Sequence, residues 1–119
     1  MLTYNEGQDV YKLVRNGKCL LDEFVNDIKK DKNLEPELGD LFANIEDVAN
    51  GELLPSNRYK ILKLGKLPFT AFEAKTKNLR LYLFHERNTG IVLIIGGKKT
   101  EQDEDLDRIK RIIKEYSNF

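Results

Sequence analysis

The spacing of apolar and polar residues changes from extended to helical within the first fifty residues. Residues 9–15, DVYKLVR, alternate between the two classes, which predicts a short strand because successive side chains of a strand point to opposite faces. The turn sequence Asn16-Gly17 follows, and apolar residues then recur at intervals of three and four, which predicts two amphipathic helices. The two apolar stripes consist of Leu20, Leu21, Phe24, Val25 and Ile28, and of Leu38, Leu41, Phe42, Ile45, Val48 and Ala49.

Beyond Pro55 the pattern becomes extended again. Four segments predict strands, and the last segment of the chain returns to helical spacing; they are 58–64, 69–75, 79–85 and 91–97, followed by the helix 100–116. The connections at 76–78 and 86–90 are short enough for antiparallel hairpins. This order predicts an α+β fold in which two N-terminal helices pack on a small, antiparallel-rich sheet that is followed by a C-terminal helix.

Composition indicates a single domain over residues 1–119, with 40% hydrophobic and 34% charged residues. No apolar run approaches the roughly 18 residues that span a membrane, and the first ten residues do not resemble a signal peptide, so we expect a cytoplasmic protein without membrane contact. The chain has one cysteine and one histidine, which gives little support to a disulfide, a zinc centre or a Ser-His-Asp triad. We therefore expect neither a cofactor nor a metal.

Charge is distributed unevenly although the chain is neutral overall. Residues 1–55 hold 6 basic and 12 acidic side chains, residues 56–99 hold 10 and 2, and residues 100–119 hold 4 and 6. The middle segment thus carries a net charge of +8 between two acidic segments. Such asymmetry is typical of proteins that bind polyanions, although lysines along solvated strand edges would give the same counts.

The alternation of side chains along the strands indicates where the basic groups lie. On strand 79–85, Leu79, Leu81 and Leu83 share the face that would support the two helices, which leaves Arg80 and Tyr82 on the other face. The turn at 76–78 would bring neighbouring strand ends together. We predict a hollow with an aromatic floor of Tyr82 and Phe84, ringed by Lys75, Lys77, Arg80, Lys98 and Lys99.

Two interpretations of this face remain open. In the first, lysines and arginine contact the phosphates of single-stranded nucleic acid, the rings lie under its bases, and Gly96-Gly97 bends or approaches the ligand. In the second, Arg80 pairs with Glu73, Tyr82 and Phe84 pack beneath the last helix, and the lysines serve solubility.

Several of these segments together resemble the RelE/ParE/HigB superfamily of bacterial toxins. The resemblance covers about residues 69–116 and follows the family's order of motifs: a glutamate–apolar–arginine strand, an arginine after an aromatic or apolar residue on the next strand, and a strand that ends in Gly-Lys-Lys or Gly-Lys-Arg. Here these places are filled by Glu73-Ala74-Lys75, Leu79-Arg80-Leu81 and Gly97-Lys98-Lys99. The upstream order of elements agrees with the family as well.

The resemblance implies a HigB-like toxin of a type II toxin–antitoxin module that inhibits translation. Many members are metal-independent endoribonucleases that cut mRNA on the ribosome through attack by the ribose 2′-OH, and a cognate antitoxin neutralises them. By the resemblance, Arg80, Lys99 and Lys75 would be catalytic, and Lys98 would add a phosphate contact. The predicted hollow adds Lys77 and Tyr82 as RNA-binding residues.

The chain also departs from the RNA-cleaving members. Ala71 and Glu73 stand where some of them carry lysines, and Asp105 stands where they carry a tyrosine. His85 lies on the face opposite Arg80, so we do not assign it as a general base. These departures keep a second interpretation open: a non-catalytic member that acts by protein binding, either as a gyrase inhibitor or as an inactive interaction module.

Overall fold

A computed structural model describes residues 8–86 and 90–116, and these form a five-stranded sheet with three α-helices. Residues 1–7, 117–119 and the tip of the predicted 86–90 hairpin, 87–89, lie outside the described part. The elements are β1 (Val10–Lys12), α1 (Leu20–Lys29), α2 (Glu35–Ala49), β2 (Tyr59–Ile61), β3 (Thr70–Lys75), β4 (Leu79–Glu86), β5 (Gly90–Lys98), a 3₁₀ turn (Lys99–Glu101) and α3 (Gln102–Tyr116). The predicted α+β class is confirmed, and no helix of the described residues has the length and apolar content needed to cross a bilayer.

The sheet is mixed, with the strand order β1-β5-β4-β3-β2. The pairs β3–β4 and β4–β5 are antiparallel, as the short connections predicted. The pair β2–β3 is antiparallel as well, whereas β1 pairs parallel to β5. A parallel pair needs a long crossover, which α1, α2 and the strands that follow supply. In this register Lys75 lies opposite Arg80, and Arg80 lies opposite Gly97. The basic strand ends therefore meet at one end of the sheet.

The first two helices cover one face of the sheet. The face that they cover carries Leu79, Leu81 and Leu83, all fully buried, as the alternation along β4 predicted. Burying each leucine contributes about 1.5–3 kcal/mol, so this layer holds a large share of the folding energy. The helical residues buried in the same cluster are Leu21, Phe24, Ile28, Leu38, Leu41, Ile45 and Ala49.

The third helix covers the opposite face of the sheet. Tyr82 and Phe84 are fully buried in a cluster with Ile109, Ile112 and Ile113 of α3. The ring of Phe84 stacks on Phe69 at a centroid distance of 4.9 Å. The prediction of an open aromatic floor is therefore wrong, because the apolar stripe of α3 occupies the place proposed for nucleic-acid bases.

Gly96 and Gly97 allow both helical layers to approach the same strand. A Cβ on Gly96 would lie 2.2 Å from ring atoms of Phe24 on α1, and a Cβ on Gly97 would lie 1.9 Å from Oδ2 of Asp105 on α3. Neither glycine has a positive φ, so the lack of a side chain, and not an unusual backbone conformation, is what the fold needs here. The two glycines therefore serve packing on the two faces of the sheet.

Candidate anion-binding hollow

An open hollow of about 730 Å³ lies where the β3–β4 turn meets α2 and the end of β5. Five cationic side chains line it, and we call it the basic hollow. Its lining consists of Asp40, Ala43, Asn44, Asn57, Arg58, Lys75, Thr76, Lys77, Arg80 and Lys99. Four of the six residues predicted for the site, Lys75, Lys77, Arg80 and Lys99, are thus brought together.

Backbone hydrogen bonds fix the relative positions of these segments. The N–H of Lys75 donates to the carbonyl of Arg58, and the N–H of Lys99 donates to the carbonyl of Asn78, both at 2.9 Å. Lys99 therefore lies beside the β3–β4 turn, although it is far from Lys75 and Lys77 along the chain. The convergence of cations is a consequence of strand pairing.

A carboxylate from α2 holds the turn in place. Glu37 Oε1 accepts hydrogen bonds from Thr76 Oγ1 at 2.6 Å and from the backbone N–H of Asn78 at 2.9 Å, and its Oε2 accepts from Asn78 Nδ2 at 2.7 Å. Partial burial works against ionisation of Glu37, but the hydrogen bonds from Thr76 and Asn78 outweigh it and lower the pKa of the carboxyl group. The ionised carboxylate fixes the turn that carries Lys77.

Asn44 and Arg58 form a part of the hollow that the sequence did not predict. The amide of buried Asn44 donates to the carbonyls of Lys75 and Arg58, and its Oδ1 accepts from Arg58 Nε at 2.9 Å and Nη2 at 2.6 Å. Arg58 also pairs with Asp47 at 3.2 Å. Because the guanidinium is held by two α2 side chains, it adds positive charge to the wall while it supports the fold. In the sequence, the signal for this role of Asn44 was a polar amide within the apolar stripe of the second helix.

Arg80 lies in the wall of the hollow but is only 6% exposed. Its Nη1 donates to the carbonyls of Thr76 and Leu79 at 2.7 and 2.8 Å, and its Nε lies 3.8 Å from Oε1 of buried Glu73. Gln102 of α3 donates to the other oxygen of Glu73 at 2.7 Å. The guanidinium is thus already engaged by protein groups, as the second interpretation of this face expected.

The lysines have a different environment. Lys75 is half-buried, Lys77 and Lys99 are exposed, and no described side chain forms a hydrogen bond or ion pair with Lys75 or Lys99. Lys77 lies near Glu37, whose pKa it helps to lower. Long, flexible ammonium side chains of this kind can reach phosphate oxygens in several positions.

Two predicted site residues lie away from the hollow. Tyr82 is 0% exposed beneath α3, where burial raises the pKa of its phenol, so the prediction that it stacks on RNA is wrong. Lys98 is exposed, but it pairs with Leu79 in the register and lines a separate cleft next to α1. One residue further along the chain, Lys99 leaves the strand and turns to the hollow.

His85 occupies the α2 side of the sheet, as the alternation along β4 predicted. Its Nε2 lies 2.8 Å from the hydroxyl of Tyr59, and its ring packs on Phe72 at a centroid distance of 4.4 Å. Burial lowers the pKa of the imidazole. His85 does not line the basic hollow, so the structure gives no reason to assign it as a base there.

The basic hollow offers mainly positive charge, which suits an anionic ligand. Among residues 8–86 and 90–116, no three His, Cys, Asp or Glu side chains are placed to hold a metal ion. Searches against protein-family models, curated proteins and solved structures found no match to the chain. Interpretation of the site therefore depends on its geometry and on the motif resemblance.

Proposed function

We propose that the basic hollow binds the phosphates of single-stranded RNA, and that the chain is a RelE/ParE-like, HigB-like toxin that cuts mRNA on the ribosome. The observation that carries the proposal is the convergence of Lys75, Lys77 and Lys99 in one open hollow, with Arg58 and Arg80 in its wall. Neutralisation of phosphates by cationic side chains supplies most of the affinity of such surfaces. The mixed order of strands and helices is compatible with the fold that the resemblance implies.

The proposed reaction needs no cofactor. The ribose 2′-OH attacks the adjacent phosphorus and loses its proton to solvent, the bond to the 5′-oxygen of the next nucleotide breaks, and that oxygen takes up a proton from solvent. The products are a 2′,3′-cyclic phosphate and a 5′-hydroxyl end. Lys99 would stabilise the charge that develops on the phosphoryl oxygens, while Lys75 and Lys77 hold the neighbouring phosphates. Arg80 would act through its positive charge in the wall, since its Nη1 hydrogen bonds are made to the turn.

One observation favours the alternative of a non-catalytic protein that acts by binding another protein, such as a gyrase inhibitor or an inactive interaction module. The arginine that would contact the scissile phosphate in the resemblance is paired with Glu73 and sealed beside α3. If Arg80 does not contact the scissile phosphate directly, the rate of RNA cleavage should fall more than the affinity for RNA. The two functions differ in whether growth inhibition depends on the lysines of the hollow.

The discriminating experiment combines induced expression in a bacterial host with mapping of mRNA ends on ribosomes. The double variant Lys75→Ala/Lys99→Ala removes two hollow cations, and Lys29→Ala/Lys66→Ala removes two exposed lysines elsewhere as a matched control. We expect the wild type and the control to arrest growth and to produce new 5′-hydroxyl ends, and the hollow variant to do neither. Arrest that persists in the folded hollow variant without cleavage would establish the protein-binding alternative instead.

A cognate antitoxin and a cytoplasmic location belong to the same proposal. Such a partner would cover the basic hollow, since its closure is the direct way to exclude RNA. If the proposal is correct, co-expression of the protein encoded next to this chain should restore growth and protect Lys75 and Lys99 from acetylation by an amine-reactive reagent. Restored growth with both lysines still fully reactive would place the partner on another surface.

A further inference from the structure

A groove of about 370 Å³ lies between α3 and the turn at residues 15–18, on the face of the sheet that α3 covers. We call it the α3 groove. It shares no lining residue with the basic hollow, although it is also rich in positive charge. Four cations line it together with one carboxylate, Glu115. The cations are Arg15, Lys18, Arg108 and Arg111.

The floor of the α3 groove is aliphatic. Ile94 of β5 and Ile112 of α3 are 1% and 5% exposed and belong to the core cluster beneath α3. Leu13 and Leu20 pack against the same cluster but stay partly exposed within the groove. A partner that covers these two leucines removes apolar surface from water, which favours binding.

Backbone structure fixes the cations in two rows. The N–H of Arg15 donates to the carbonyl of Lys18, and the N–H of Lys18 donates to the carbonyl of Arg15, both at 2.9 Å. The two central residues of this turn have φ values of 53° and 75°, the left-handed conformation that closes a two-residue turn. Arg108 and Arg111 form the second row, three residues apart on α3 and about 4.5 Å apart along its axis. The backbone therefore holds cations on both sides of the groove before a partner binds.

The protein itself engages these cations only in part. Arg15 donates through Nη1 to Glu115, the one carboxylate of the described lining. Lys18 lies 3.6 Å from Glu23, but both side chains are more than half exposed, and such pairs contribute little. Arg111 is exposed and has neither a hydrogen bond nor an ion pair among the described residues. The groove thus offers charged donors that a partner can engage without breaking contacts of the core.

We propose that the α3 groove binds an acidic peptide segment of a partner protein. An aliphatic side chain of the segment covers Leu13 and Leu20, and its carboxylates pair with the cations on the two sides. Charge complementarity identifies this occupant, because the cations outnumber the carboxylate and guanidinium groups hold carboxylates through two parallel hydrogen bonds. The inference does not depend on the function of the basic hollow.

Other anions satisfy less of this groove. Single-stranded RNA binds through rings on which its bases stack, and the apolar part of the described lining is aliphatic instead. A small anion such as phosphate engages one row of cations and leaves the leucines in water. A peptide segment satisfies both rows and the floor, so it is the occupant that the groove favours.

The test is titration of the full chain at pH 7.5 with the capped peptide EEDLLDEE, followed by calorimetry and by amide chemical shifts in NMR. The control peptide EEDSSDEE has the same charge but lacks the aliphatic side chains. We expect saturable binding of the leucine peptide, with binding of the serine peptide weaker by about tenfold or more. The shifts should be concentrated at residues 13–20 and 108–115.

A matched pair of charge reversals locates the site. Arg111→Glu should weaken binding of the leucine peptide by about tenfold or more, because a carboxylate replaces a guanidinium that contacts the peptide. Lys66→Glu makes the same change in net charge at an exposed position outside the groove and should leave the affinity unchanged. Both variants should keep the wild-type Tm, since both side chains are exposed.

Several outcomes would overturn the proposal. These are a lack of saturable binding up to about 1 mM, equal affinity for the serine peptide, and an equal loss in Lys66→Glu. Shifts confined to residues 75–77 and 99 would place the peptide in the basic hollow instead. Displacement of the peptide by oligouridylate RNA would assign the groove to nucleic acid. Sedimentation of the chain alone as a dimer that Arg111→Glu dissociates would assign it to a second copy.

Discussion

Substitution of Gly96 by alanine tests whether this glycine is required by helix packing. An alanine Cβ at this position would lie 2.2 Å from Cδ2 and Cε2 of Phe24, whose ring is 8% exposed in the core between α1 and the sheet. Since the backbone φ of Gly96 is not positive, alanine adds no backbone strain. The whole effect should therefore come from the collision with the ring.

The expected cost follows from overpacking. A methyl group forced into a filled core moves its neighbour off its rotamer or shifts the helix, which costs about 1–3 kcal/mol. For a chain of this length 1 kcal/mol corresponds to about 4 °C in Tm, so Gly96→Ala should lower Tm by about 4–12 °C. Calorimetry or circular dichroism of the purified variants would measure the change.

Gly39 provides a matched control inside α2. A Cβ there would meet nothing within 4 Å, and alanine is favoured over glycine in a helix by about 0.5–1 kcal/mol, so Gly39→Ala should raise Tm by about 2–4 °C. Phe24→Leu should rescue Gly96→Ala, with a coupling energy of at least about 1 kcal/mol in the double-mutant cycle. An unchanged Tm for Gly96→Ala, or additive effects with Phe24→Leu, would refute the packing argument.

Three further predictions concern buried polar groups on the side of the sheet that α3 covers. Glu73→Ala should lower the free energy of unfolding by about 3–5 kcal/mol in denaturant titrations, because it leaves Arg80 buried without its counter-charge. The double change Glu73→Met/Arg80→Met removes both charges and should cost much less. Tyr82→Phe should leave stability unchanged or raise it by about 1 kcal/mol, since the buried hydroxyl has no partner in the described structure; a loss above 1 kcal/mol would show that it has one. Asp105→Asn should gain stability relative to wild type between pH 4 and pH 7, by about 3 kcal/mol at most. Burial raises the pKa of Asp105 from 3.8 to about 6, so the folded state binds its proton more tightly and wild type alone loses stability as pH rises through this range; a difference independent of pH would contradict this.

The periodicity of the sequence predicted the elements of the fold because the core is built from regular stripes. Alternation placed Leu79, Leu81 and Leu83 on one face, and the two helical stripes supplied the layer that covers them. Short connections predicted the antiparallel pairs as well. The parallel pairing of β1 with β5 could not be predicted, because a three-residue strand carries no signal for its partner.

The sequence predicted the convergence of lysines better than the environment of the aromatic residues. Strand ends must meet wherever hairpins are short, so Lys75, Lys77 and Lys99 came together as expected. Whether α3 covers Tyr82 depends on the direction of the chain after Lys99, which periodicity does not determine. The role of Asn44 depends on hydrogen bonds between residues distant in the chain, and such pairs leave no local pattern.

The two kinds of basic residue in the hollow perform different tasks, and this decides how mutagenesis should be interpreted. Arg58 and Arg80 use the fixed geometry of the guanidinium to bridge carboxylates, an amide and backbone carbonyls, so each contributes to folding as well as to the potential. Lys75 and Lys99 make no such contacts in the described structure and can respond to a ligand.

Loss of activity on replacing Arg80 therefore indicates a catalytic role only in a variant shown to be folded. Replacement of Lys99 needs no such correction, because an exposed ammonium can be removed with little effect on the core. Variants of the lysines thus provide the direct test of the proposed RNA binding, whereas variants of the arginines also change the stability of the scaffold that brings the lysines together.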